Sequence, residues 1–93
     1  MIVIVKSAPD TPDGVRGVTL ARDSAADLVL LQNGVYFAQK ELLGAFSGTV
    51  YALDDDKRLR GLKDSEMGQT VKSISYDALV DLMAEDNKVV GMF

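Results

Sequence analysis

Asp27-Leu-Val-Leu-Leu-Gln-Asn-Gly-Val-Tyr36 decides the fold. Leu28 to Leu31 are four consecutive apolar residues. A strand wetted on one face alternates apolar and polar residues, so an unbroken apolar run belongs to a strand covered on both faces. Gln32 and Asn33 end the run, and Gly34 permits a sharp turn at almost no steric cost. From Val35 the spacing turns helical. The stretch therefore reads as a central strand, a turn and a helix. In α/β sheets the carboxyl ends of strands are where sites lie, which directs attention to Gln32 and Asn33.

Upstream, Ile2 to Val5 is a β-branched apolar run suited to a buried strand. Ser7 to Gly14 holds Pro9, Pro12, two Asp and a Gly, and reads as a loop. Val15 to Ala26 is expected to contain a helix, with Val18, Ala21 and Ala25 on one face. Downstream, Val35 to Leu43 reads as a helix that buries Val35, Ala38 and Leu42, capped by Asn33 and ended by Gly44. Thr49 to Leu53 is the third strand.

Asp54 to Arg60 reads as a short helix with three Asp at its amino end and Lys57, Arg58 and Arg60 after them. That order suits the helix dipole, with Asp54 as cap and Gly61 as stop. Asp54–Arg58 and Asp56–Arg60 are i,i+4 pairs worth ~0.2–0.5 kcal/mol each. Leu62 to Thr70 is polar loop, and Val71 to Ile74 a short strand. Ser75 is placed to cap a last helix in which Tyr76, Leu79, Val80 and Met83 follow helical spacing. Asn87 ends that helix, and Lys88 to Met92 forms a final strand.

Strands alternate with helices throughout. The expected fold is α/β: one domain over residues 1–93, with a mainly parallel sheet of four or five strands between two helical layers. The first strand is expected at the centre, beside the second and third.

Composition excludes whole classes of chemistry. The chain has no cysteine, so it forms no disulfide and carries no thiolate nucleophile or thiolate metal site. It has no histidine, which removes the usual general base and the commonest metal ligand. Net charge is −4 and the pI about 4.6, against the basic stripe a nucleic-acid surface needs. Met1 to Val5 is too short for a membrane span or signal core, so a soluble cytoplasmic protein is expected. A hydrophobic content of 47% argues against disorder and leaves apolar surface for an interface.

Candidate positions are few. Asp54, Asp55 and Asp56 look like a cation cluster, but neighbouring helix positions point apart, so capping and solvation explain them better. Gln32, Asn33 and Gly34 sit where a helix begins and N–H groups face outward; a ligand contact and simple capping both fit. Tyr36 is either a partner contact or core. Arg60 and Gly61 either place an arginine at the sheet edge for an anion or form a helix cap with a solvated arginine, and the cap fits better. Met92 and Phe93 end the chain in apolar residues suited to docking or to core packing. No Walker or dinucleotide glycine pattern is present, and no cofactor or metal is expected.

Taken together, Leu30-Leu-Gln-Asn-Gly-Val35, Val50-Tyr-Ala-Leu-Asp-Asp55, Arg60-Gly-Leu62 and Ile74-Ser-Tyr-Asp-Ala-Leu-Val80 resemble the DsrH/TusB family of small sulfur-relay proteins. The resemblance covers nearly the whole chain. It implies a DsrE/F/H-like α/β fold. It further implies assembly with sister DsrE/DsrF-like (TusD/TusC-like) subunits, or a homodimer in lone members. The implied pathway is persulfide sulfur transfer, serving 2-thiolation of the tRNA wobble uridine in the TusBCD version and sulfur oxidation in the Dsr version. Some members carry a cysteine in the first loop or helix, and this chain has none. The expectation is a non-catalytic subunit, with Gln32, Asn33, Gly34, Arg60 and Gly61 as architectural landmarks or subunit contacts. The competing expectation is a stand-alone, homodimeric small-anion-binding or interaction module.

Overall fold

The structure, a computed structural model, describes residues 1–44, 46–85 and 88–93. Element order is β1 (Ile2–Val5), α1 (Pro12–Asp23), β2 (Asp27–Leu30), a 3₁₀ helix (Gln32–Ala38), β3 (Val50–Leu53), α2 (Asp54–Leu59), a 3₁₀ turn (Asp64–Glu66), β4 (Val71–Ile74), α3 (Tyr76–Glu85) and β5 (Val89–Met92). The strands form one sheet in the order β4-β3-β2-β1-β5. Every pairing is parallel.

The apolar run quoted above is the middle strand, and Leu28, Val29 and Leu30 are completely buried. The expectation that β1 is central, beside the second and third strands, is corrected in part: β2 is the middle strand, and β1 pairs with β2 on one side and β5 on the other. The chain steps outward from β1 to β4 and then returns across the sheet to place β5. With right-handed crossovers, that return puts the last helix on the opposite face from the earlier ones.

Side-chain alternation divides the core in the same way. Val3, Val5, Leu28, Leu30, Val50 and Ala52 point to the face covered by α1 and the 3₁₀ helix, where they meet Val18, Ala21, Val35 and Phe37. Ile2, Ile4, Val29 and Leu53 point to the other face, where they meet Leu79 of α3.

Two helical expectations need correction. α1 begins at Pro12, inside the segment read as loop. Thr11 is its N-cap, accepting from the Gly14 N–H at 3.1 Å. Pro12 occupies the first helical position, where a missing N–H has no cost because that donor has no helical partner. Pro there starts a helix; it does not argue for a loop.

The expected helix over Val35–Leu43 is instead a 3₁₀ helix of 7 residues that starts and ends earlier. Val35, Phe37 and Ala38 are all buried, a crowding of apolar positions that the tighter coil accommodates. Beyond it a rival pairing takes the backbone. The Gly68 N–H donates to Ala38 O at 2.8 Å and the Lys40 N–H to Glu66 O at 3.0 Å. Leu42, expected inside, is half exposed, and Leu43 is buried in its place.

Ser75 does cap α3, its Oγ accepting from the Ala78 N–H at 3.1 Å. Gly61 follows α2 with φ +67°, the left-handed stop expected of it. Asn87 lies outside the described residues.

Candidate functional site

Gln32, Asn33, Asp56 and Arg60 converge at the carboxyl end of β2. Gln32 follows the strand with φ 50°, a left-handed conformation that turns the chain sharply off the sheet. Gly34 then lies against the backbone of β1: a Cβ there would sit 2.1 Å from the Val5 carbonyl oxygen. The close approach, more than a special dihedral angle, is what requires glycine. It carries the turn directly over the end of the first strand.

Asn33 does not cap. The N-cap of the 3₁₀ helix is Leu31, with no side-chain cap bond. The Asn33 side chain instead accepts at Oδ1 from Arg60 Nε at 3.0 Å. The Gln32 N–H donates to Asp56 Oδ2 at 2.7 Å. Arg60 also donates through Nη1 to the Asp56 carbonyl at 3.2 Å, and its Nη1 lies 3.7 Å from Asp56 Oδ1. Two of the motifs singled out in the sequence, 27 residues apart, are thus joined in space by one Asn–Arg bond.

The electrostatics of the cluster are closed. The Gln32 N–H that an external anion would use already faces the Asp56 carboxylate. The Arg60 guanidinium, which would attract that anion, faces the same residue. Both ionic side chains are largely covered, Arg60 at 20% and Asp56 at 17% exposure. An ion pair with its hydrogen bonds met is an architectural clasp between the β2 turn and α2.

The three neighbouring aspartates divide their bonds. Asp54 and Asp55 pair with Arg58 at 3.0 and 2.8 Å, and Asp56 serves Gln32 and Arg60. Asp54 lies in the first turn of α2, whose N-cap is Leu53 without a side-chain cap bond, so Asp54 is not the cap expected of it. Both expected i,i+4 pairs are present. Among the described residues no group of three or more His, Cys, Asp or Glu is placed to hold a metal ion.

Tyr36 is half-buried beside the turn, and Gly61 is exposed. Met92 pairs with Ile4 through its backbone. Phe93 is tied to the start of the chain: its N–H donates to Ile4 O at 3.0 Å, and its carbonyl accepts from the Lys6 and Ser7 N–H groups at 2.6 and 3.0 Å. Its ring packs against the α1-side core, close over Gly17.

The sequence places Lys57 among the basic residues that follow the three Asp of α2. Lys57 is only 1% exposed. Its ammonium donates to Asp64 Oδ1 at 3.0 Å and to Ser73 Oγ, so it joins α2 to the 3₁₀ turn and to β4. Asp64 and Ser73 also line a cavity of about 340 Å³ with Lys40, Gln69 and Val71. One signal was available. A helix lying on a sheet must bury something, and Asp54–Leu59 offers no other inward residue, since Leu59 is exposed.

No helix among the described residues is long and apolar enough to cross a membrane. A comparison with curated proteins found no match. Among solved structures, the solution NMR structure of protein Tm0979 from Thermotoga maritima is similar, with a TM-score of 0.70 and 33% identity. That likeness covers 97% of this chain and 98% of the other. The family described as DsrH like protein matches residues 16–89. With a match over most of its length, the chain belongs to the DsrH-like family, a family of the sulfur-relay type.

Proposed function

We propose that the chain is a non-catalytic subunit of a cysteine-persulfide sulfur-relay complex. One observation carries the reading: a DsrH-like chain without a single cysteine. In persulfide transfer an acceptor thiolate attacks the terminal sulfur of a donor Cys–S–SH, and the donor leaves as its thiolate. One sulfur changes hands, and the thiol that releases it and the thiolate that takes it both belong to cysteines. A chain without that residue supplies neither end of the step. Its contribution is to hold partners that do, namely sister subunits of DsrE/DsrF-like type bearing the reactive thiol. The reaction served is 2-thiolation of the tRNA wobble uridine or its sulfur-oxidation counterpart, and the same subunit role fits both.

The Asn33–Arg60 clasp supports this over a stand-alone anion-binding module, because Asp56 already occupies the anion's place. The test is the native mass of tagged protein taken from its own cells. The reading expects two different small partners, at least one with a cysteine that carries sulfane sulfur. A lone homodimer overturns it.

A further inference from the structure

Among the described residues α3 is the single helix on its face of the sheet, and its sequence is apolar over too wide an arc for that one contact. At about 100° per residue, Leu82, Leu79, Met83, Tyr76, Val80 and Ala84 span about 200° of its circumference. The sheet uses half of this. Leu79 is buried at 4% and Leu82 packs against the same cluster. Tyr76, Val80 and Met83, at spacing i, i+4, i+7, stay 63%, 49% and 36% exposed. A helix apolar on two sides belongs between two layers.

The next arc is acidic. Asp77, Asp81 and Glu85 stand at i, i+4, i+8 beside the exposed ridge, and α3 contains no Lys or Arg at all. Charges flanking an apolar helical seam select the partner and its orientation. Two copies meeting antiparallel through this seam would set one acidic row against the other, a like-charge contact that opposes self-pairing. The complementary surface is an apolar ridge flanked by Lys or Arg.

We propose that the outer face of α3 docks a different protein, on a segment whose apolar residues fill the Tyr76–Val80–Met83 ridge and whose basic residues meet Asp77, Asp81 and Glu85. This rests on the subunit reading above and adds to it the docking face and the chemistry of its partner.

The test places a photo-crosslinking benzoylphenylalanine at Val80. A second protein carries it at Val15, an exposed apolar residue of α1. Both are expressed in the cells of origin, and cross-linked peptides are sequenced. The expected result is an adduct from position 80 to another protein, within an apolar segment bearing Lys or Arg. A parallel variant, Asp77→Lys with Asp81→Lys, alters only the rim and should lower complex recovery at least tenfold while circular dichroism is unchanged. Adducts from position 80 to a second copy or to a segment without basic residues overturn the proposal, as does full recovery of the rim variant. If the complex persists but cross-links only from position 15, the docking face is wrong and the subunit reading stands. If no heteromeric complex exists, both fall.

Discussion

The two faces of the sheet are built to different standards. On the α1 side, two helical segments and Phe93 enclose a core of fully covered Val, Leu and Ala residues. On the α3 side, the described residues place one helix of 10 residues against a sheet of five strands. Strands at about 4.8 Å spacing make the sheet roughly twice as wide as the ~10 Å helix lying on it. Leu31, Tyr51 and Ile74 on that side are only partly covered. The contrast separates a face that closes over its core from a face that leaves apolar side chains partly uncovered.

The largest expected effect tests the first face where it meets the β2 turn. Gly34→Ala would force a Cβ against the Val5 carbonyl, a backbone atom fixed in the sheet. We expect a loss of about 3 kcal/mol or more in urea unfolding, the range of severe overpacking and strain. A loss below ~1 kcal/mol would mean the turn can lift from β1.

Next comes a matched pair of truncations. Leu28→Ala, inside the α1-side core, should cost about 3–5 kcal/mol, whereas Leu79→Ala in α3 should cost about 2–3 kcal/mol in the isolated chain. Equal costs would erase the asymmetry between the faces.

Lys57→Met should change stability by less than about 1 kcal/mol in either direction. The methionine fills the same space, and the freed Asp64 carboxylate is 92% exposed and hydrates. Lys57→Ala, which leaves a void, should cost about 2 kcal/mol more than Lys57→Met. Thermal melts of the two variants side by side would decide whether the buried lysine acts by volume or by charge.

The smallest expected stability effect belongs to the exposed ridge. Val80→Asp should shift unfolding by less than ~0.5 kcal/mol in the isolated chain, as surface substitutions do. The same change should abolish heteromeric assembly.

Legibility in the sequence followed how directly a residue's surroundings are set by its neighbours along the chain. Leu28 to Leu31 announced a doubly covered strand because burial on both faces removes alternation. Gly61 and Ser75 did what their local chemistry dictates. The errors came from long-range competition. Asn33 was a fair cap until Arg60, 27 residues away, offered a bond. Val35–Leu43 had helical spacing, but the 66–68 segment took its later backbone groups. Pro12 misled because one residue type marks both loops and helix starts. The position of β1 depended on where β5 returns, which no local pattern encodes. Lys57 stayed hidden because its charge suggested water and only its place on the helix suggested burial. The site was legible as two separate motifs, and the clasp that unites them was not.

In the proposed role the chain is a cysteine-free subunit whose less covered sheet face is completed by another protein. Native mass spectrometry of tagged protein from its own cells, wild type beside Val80→Asp, tests it most directly. The expected result is a heteromeric complex with a cysteine-bearing partner for the wild type, reduced to the chain alone by the substitution. A wild-type homodimer or monomer, or the same complex in both samples, would contradict it.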